Sequence, residues 1–283
     1  MSGNARELVV VTGTSSGIGR ATVERLAADG FHVLAGVRRP EDGEKIKSEN
    51  IEPVIVDITK TETLQALAAR IKEDPEGRPL RAIVNNAGIA VNAPLEVVPL
   101  DELRRQIDVG LVGQLAVIQA LMPALLASRG RIVNIGSLGG KVAMPGFGVY
   151  SAAKFGMEAV NDSLRREVEP FGVKVVMITP GGVSTGMSEQ GISSADRLAK
   201  LMTPDQQRRY DRIFAAVKNQ AQIWAKTGVR PEQVAGVISR AIHAAKPRTR
   251  YTVGRDSALL TRLVRFIPDR VLDSMLVRQM GLK

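Results

Sequence analysis

The sequence predicts an α/β protein built on one doubly wound, mostly parallel seven-stranded sheet with helices on both faces. Three features lead there. Seven short runs rich in Val and Ile recur along the 283 residues, helix-length stretches separate them, and no repeat or linker divides the chain, so 1–283 reads as a single domain. Strands covered on both faces show near-continuous apolar runs rather than in-out alternation. A strand–helix rhythm of this kind winds into a parallel sheet.

The runs of strand length are residues 8–11, 33–37, 54–56, 82–84, 131–135, 173–178 and 251–253. Helices are expected over 18–28, 61–74, 100–127, 150–169 and 231–244, with Asp29-Gly30, Asp74-Pro75 and Pro170 as stops. Between the sixth and seventh strands, residues 184–228 are polar and charged, with one helical pattern around 213–224, and are expected to form a mobile substrate lid. A basic C-terminal extension, 255–283, carries a helical pattern over 259–282 in which Leu, Val, Phe and Met mix with spaced Arg. Docking on the protein's own body is the favoured expectation for it, and peripheral contact with a membrane surface the minor one.

Composition narrows the chemistry. Hydrophobic residues at 44% and charged residues at 24% are ordinary for a globular domain and exclude a disordered chain. Without cysteine there is no disulfide framework and no thiolate nucleophile, and the two histidines, His32 and His243, are too few for a zinc site, so no metal is expected. No signal-peptide run opens the chain and none is read as reaching the ~20 apolar residues of a membrane span, which predicts a cytoplasmic protein. The net charge of +10 gathers at the end, where residues 246–283 hold nine Lys or Arg against three Asp. With no helix-turn-helix, zinc knuckle or stacking aromatics beside it, that charge reads as a solvated face and not as a nucleic-acid site.

The first strand runs into Thr12-Gly13-Thr14-Ser15-Ser16-Gly17-Ile18-Gly19 and then a helix. Glycines at a strand-to-helix turn let the backbone approach a pyrophosphate, and the helix N-terminus presents free N–H groups to it. The second strand ends Val37-Arg38-Arg39, where an acid would hold the ribose 2′-hydroxyl of NAD. A guanidinium fork suits a 2′-phosphate instead, so Arg38 points to NADP(H), with NAD as the alternative. Tyr150 and Lys154, four apart on a predicted helix, share a face, where an ammonium favours the phenolate. Ser137, just past the fifth strand, is placed to hydrogen-bond a substrate oxygen. Each alone has an ordinary explanation in packing, solvation or capping; together they make an acid–base site.

The segments Gly-x-x-x-Gly-Ile-Gly from Gly13, Asn85-Asn86-Ala87-Gly88, Ser137, Tyr150-Ser151-Ala152-Ala153-Lys154 and Pro180-Gly181 agree in order and spacing with the short-chain dehydrogenase/reductase family, which the chain resembles over nearly its whole length. Residues 162–167 and 171–174 look like its retinol and hydroxysteroid dehydrogenase branches. The resemblance implies a Rossmann-type sheet and an NADP(H)-dependent oxidoreductase that interconverts a secondary alcohol and a ketone. It implies Ser137, Tyr150 and Lys154 as the catalytic set, with Tyr150 and Lys154 also contacting the cofactor, Lys154 on the nicotinamide ribose. Cofactor contacts are implied for Gly13, Ser15, Ser16, Gly17, Ile18, Gly19 and Arg38, for Asp57 at the adenine, for Asn86 and Gly88 on the adenosine side, and for Pro180 and Gly181, with Val183 and Thr185 at the carboxamide.

One position departs from the family pattern. The segment Ile107-Asp108-Val109-Gly110 holds glycine where relatives carry an Asn that supports a water-linked proton relay. The substrate is expected to be lipophilic, steroid-, retinoid- or acyl-like, against an apolar pocket drawn from Leu138, Met144, Phe147, Met187 and Trp224. A 3-oxoacyl-thioester reductase, or a cofactor-sensing binding protein that has lost turnover, are the rival readings. Apolar excess on the helices 100–127 and 150–169 predicts a homo-oligomer.

Overall fold

The computed structural model describes residues 6–254, 260–261, 263–264 and 266–283. Seven strands, β1 (Leu8–Thr12), β2 (His32–Val37), β3 (Ile51–Ile55), β4 (Leu80–Asn85), β5 (Arg131–Ile135), β6 (Lys174–Pro180) and β7 (Arg250–Val253), form one sheet in the order β3-β2-β1-β4-β5-β6-β7. Every pairing is parallel. The strand order reverses between β1 and β4, and in such sheets a ligand crevice opens there, beyond the carboxyl ends of the strands.

The continuous apolar runs follow from a core on each face. Along β1, Val9 and Val11 pack into one cluster with Val33, Ala35, Val234 and Ile238, whereas Leu8 and Val10 enter the other with Leu64, Ile118 and Leu121. Alternate side chains leave a strand on opposite faces, so a strand buried on both must be apolar throughout. Helices α1 (Gly17–Ala28) and α9 (Pro231–His243) pack together on one face; α3 (Thr61–Lys72), α5 (Gly113–Ser128) and α6 (Gly148–Val168) cover the other.

Several boundaries differ from the sequence reading. β3 begins before Pro53 and not after it, because β3 is an edge strand paired with β2 alone, where a missing N–H is tolerated. A short helix, α2 (Pro40–Glu44), was not foreseen. The expected helix 100–127 divides into α4 (Leu100–Ile107), a π turn (Asp108–Val112) and α5. Contrary to the expectation of no span-length run, Leu100–Ser128 is long and apolar enough to cross a membrane, although Val117, Ile118, Leu121 and Leu125 are buried against the sheet. The segment 184–228 is almost wholly helical, as α7 (Gly186–Ala199) and α8 (Pro204–Thr227), which pack on each other. Residues 255–259, 262 and 265 of the basic extension lie outside the described residues; beyond them α10 (Asp269–Gln279) buries Leu276, and Met280 follows it into the core.

Two polar devices tie the layers. Asn85 on β4 donates to Asn134 on β5 at 3.0 Å, and Asn134 donates to Asn161 on α6 at 3.1 Å, all three buried. Arg131 on β5 spreads its guanidinium over the end of α9, donating to Ala241 O, to Ile242 O at 2.6 Å and to Ala244 O at 2.9 Å. Arg81 adds a bond to Ile242 O. A cation at a helix C-terminus meets the negative end of the dipole, yet burial holds the Arg131 guanidinium down at about 10.

Candidate active site

A cleft of about 320 Å³ opens at the predicted switch point. The turn between β1 and α1 forms one wall. Gly13 and Gly17 adopt φ of +68° and +56°, the left-handed region that glycine reaches at no steric cost. Any Cβ at Gly13 would stand 2.7 Å from Ala87 Cα. Gly19 does not line the cleft; a Cβ there would collide with the Gly13 carbonyl, so this glycine serves the close approach of α1 to its own turn. Ser16, the N-cap of α1, makes no side-chain cap bond, and no acid occupies the first turn. The donors at that helix end are therefore available to an anion.

The loop after β4 is pinned to this turn. Thr12 Oγ1 accepts from the N–H groups of Asn86 and Ala87 at 3.1 and 3.0 Å, while Asn86 Nδ2 donates to Thr12 O and Gly13 O at 3.0 and 2.9 Å. Thr12 was not singled out from sequence, where a buried strand-end Thr gives no separate signal. Asn86 and Gly88 reach the cleft, as do Ser15, Ser16, Ile18, Arg38 and Asp57. Burial pushes the Asp57 carboxyl up, but bonds from the Thr59 hydroxyl and N–H, with the Arg38 charge, outweigh it and hold the group below its usual value. Of the two arginines after β2, Arg39 is paired with Asp42 at 2.8 Å and with Glu41, leaving Arg38 exposed at the cleft edge.

Ser137, Tyr150 and Lys154 converge on the floor. Ser137 begins the turn after β5, accepting from Gly139 N at 3.0 Å. Burial pushes the Tyr150 hydroxyl above its ordinary value, opposed by the neighbouring Ser137 hydroxyl. The expected depression by Lys154 is not found. Lys154 Nζ donates to Ile135 O at 2.7 Å and lies 5.8 Å from the centre of the Tyr150 ring, and burial lowers the ammonium to about 8.

Gly110 sits within the π turn, buried beneath α6. A Cβ on it would come 2.9 Å from Ala153 Cβ and 3.2 Å from Gln106 Nε2. Gln106, also unforeseen, holds the far part of the β4 loop, donating to Ile89 O at 3.2 Å and accepting from Val91 N at 2.9 Å.

Pro180, Gly181, Val183 and Thr185 complete the wall beyond β6. This loop is bound to the end of α8: Ser184 N and Val229 O are 3.0 Å apart, Val229 N and Gly182 O 2.8 Å, and Ser184 Oγ donates to Ala225 O at 2.6 Å. Trp224 lies on Gly182, whose missing side chain makes room for the indole, and packs edge-on against Phe147 at 5.5 Å. Thr185 caps α7 through Met187 N at 3.4 Å. All five expected pocket residues, Leu138, Met144, Phe147, Met187 and Trp224, border the cleft. Leu260, Leu276 and Gln279 of the C-terminal segment close it, a contribution that sequence periodicity alone left unassigned.

Residues 7–195 match the family described as short chain dehydrogenase. The chain is 35% identical to retinol dehydrogenase 7 of Mus musculus over 275 residues, 95% of this chain and 87% of that protein. It is 32% identical to the NADPH-dependent 3-dehydrocapnine reductase of Ornithobacterium rhinotracheale, covering 96% of each. Its fold matches a short-chain dehydrogenase from Streptomyces avermitilis with a TM-score of 0.76 at 24% identity, over 99% of this chain and 96% of that one. The glycine turn on an uncapped helix, the switch-point cleft and these matches over most of its length agree: the chain belongs to the short-chain dehydrogenase family and is an NAD(P)-dependent oxidoreductase.

Proposed function

We propose that the protein uses NADP(H) to interconvert a secondary alcohol and a ketone on a lipophilic substrate. The observation that carries this reading is the meeting of Ser137, Tyr150 and Lys154 in a cleft whose other half is lined by Met144, Phe147, Met187, Trp224 and Leu276. The retinol dehydrogenases among the relatives support an apolar substrate, and the NADPH-dependent reductase supports the phosphorylated cofactor.

Gly13, Ser15, Ser16, Gly17 and Ile18 would hold the pyrophosphate, with Gly19 allowing the turn its shape. Arg38 would engage the 2′-phosphate, and Asp57, Asn86 and Gly88 the adenosine. Pro180, Gly181, Val183 and Thr185 would fix the carboxamide, and Lys154 the ribose hydroxyls. The bound nicotinamide supplies or accepts the hydride. Ser137 orients the substrate oxygen, and Tyr150 gives that oxygen a proton in reduction or takes it in oxidation. Burial keeps the Tyr150 hydroxyl protonated in the cofactor-free site, the form that donates when a ketone is reduced.

The test is loss of reduced-nicotinamide absorbance with a panel of ketones. Tyr150→Phe should lower kcat by about 100-fold or more with cofactor affinity unchanged, and Arg38→Ala should erase a preference for NADPH over NADH. Retained turnover in the first, or an unchanged preference in the second, would refute the assignments. A cofactor sensor would bind and consume nothing.

Exposed Leu100, Val112, Leu126 and Phe155 on α4–α6 offer a surface for a homo-oligomer, which a monomer mass by light scattering would contradict. A cytoplasmic location remains part of this reading. Exposed Phe266, Val271 and Met275 on the C-terminal segment favour the membrane-surface alternative, which co-sedimentation with anionic vesicles at low salt decides.

A further inference from the structure

The loop after β4 carries an amide that the proton and hydride chemistry does not use. Asn92 is 5% exposed and borders the cleft, and its Oδ1 is enclosed without a hydrogen-bond partner among the described residues. Its Nδ2 lies against α7, where a Cβ on Gly191 would stand 2.7 Å away, so α7 presents bare backbone at the point of contact. The amide has little freedom to turn toward water. Its neighbours Val91 and Ala93 are buried in the cluster that holds Phe147, Leu198 and Met280, and Val91 N–H is held by Gln106.

The other amides on the cleft are accounted for, Asn86 by the glycine turn. Gln190 and Gln279 are exposed and solvated, and Gln106 spends both ends of its amide on the loop backbone. Ser151 carries an enclosed hydroxyl without a partner, but it adjoins Tyr150 on α6 at the reacting wall. Asn92 belongs to the opposite pair of elements, the β4 loop and α7. A buried amide oxygen left unpaired is costly and rare; in a cleft, a ligand donor can complete it.

We propose that Asn92 is a specificity-determining residue whose amide oxygen accepts a hydrogen bond from a second hydroxyl of an otherwise apolar ketone or alcohol, at a position other than the reacting carbon. This rests on the oxidoreductase reading above and deepens it: the favoured substrate is a hydroxyketone, or the corresponding diol, on a compact hydrocarbon frame. Sites built to pair a substrate hydroxyl discriminate strongly against the analogue lacking it, because their own polar group is then stranded.

The experiment compares decalone with its monohydroxylated regioisomers as substrates for the full chain with NADPH. At least one regioisomer is expected to exceed decalone in kcat/KM by about 10- to 100-fold in the wild type. Asn92→Leu, similar in size and apolar, should bring that ratio close to one, while Tm and cofactor affinity report on structure separately. Asn92→Ala serves as a second variant should the leucine fail to fold. Turnover of decalone with no regioisomer preferred overturns the inference, as does a preference that survives either variant. Consumption of none of these ketones, diols included in the reverse direction, overturns the proposed lipophilic alcohol–ketone activity and this inference with it.

Discussion

Gly110 invites a direct test because two effects on it have opposite signs. In a helical segment, Gly→Ala ordinarily stabilises by about 1 kcal/mol, since the unfolded chain loses freedom. Here the new Cβ would sit 2.9 Å from Ala153 Cβ, well inside the roughly 3.5–4.0 Å optimum for carbon contacts. Overpacking of that kind costs about 1–3 kcal/mol, so the clash prevails. The net loss should be up to about 2 kcal/mol, or up to roughly 4–8 °C in Tm. Ala153 precedes Lys154 and follows Tyr150 by three residues, so relief of the clash by moving α6 displaces both. A misplacement approaching 1 Å costs roughly 100-fold in rate, and a shift of a few tenths should lower kcat several-fold and, through Lys154, weaken cofactor binding. Ala153→Gly in the same background should restore Tm and kcat together, a favourable coupling of about 1 kcal/mol or more. Gly110→Asn with Ala153→Gly then asks whether an amide at this place speeds proton delivery. A rise in Tm for Gly110→Ala, or simple additivity with Ala153→Gly, would refute the packing argument.

Three further outcomes follow from the geometry. Lys154, lowered to about 8 from 10.5, has released its proton between these values while the unfolded chain still binds one, so the stability of the cofactor-free protein should rise with pH across that window. Between pH 7.5 and 9.5 the increment is on the order of 2 kcal/mol; Lys154→Met should abolish it in urea titrations at those two pH values, and equal slopes in both proteins would count against it. Tyr150, raised above 10, adds the opposite slope only at higher pH. Gly182→Ala should push aside the one tryptophan, changing intrinsic fluorescence and lowering kcat/KM about 10-fold; an unaltered emission spectrum would show that the indole does not rest there. Arg131→Met leaves the carbonyl end of α9 to Arg81 alone and should cost about 2 kcal/mol, read as a Tm lowered by roughly 4–8 °C, and an unchanged Tm would argue that burial of the guanidinium cancels its bonds.

The sheet was legible because its strands are buried on both faces, which leaves short continuous apolar runs such as Leu8–Thr12 recurring between helix-length stretches. The floor of the cleft was legible through short-range spacing: Tyr150 and Lys154 share a helix, and the glycine turn is contiguous. What sequence left hidden was mostly long-range. Trp224 on Gly182, Asn92 against Gly191 and Leu276 over the cleft each join segments remote in the chain. The helical extent of 204–227 was hidden for another reason: its exposed faces dilute the apolar stripe, although Thr203, Pro204 and Gln206 spell a capping box that marks where it starts. The rise in the Tyr150 value was missed because a lysine four residues away suggests charge, whereas burial, invisible in spacing, governs both groups.

The amide chain from Asn85 through Asn134 to Asn161 acts as a key for longitudinal alignment. Asn161 stands seven residues along α6 from Lys154, about 10.5 Å of helix axis. Because Asn134 on the sheet meets Asn161 on α6, sliding α6 along the sheet by even one residue, about 1.5 Å, would break a buried bond and strand two polar groups. Apolar side chains on the same helix could re-seat after such a slip; the amides could not. The height of Tyr150 over Ser137 is thereby indexed from behind, by residues that no substrate or cofactor would touch.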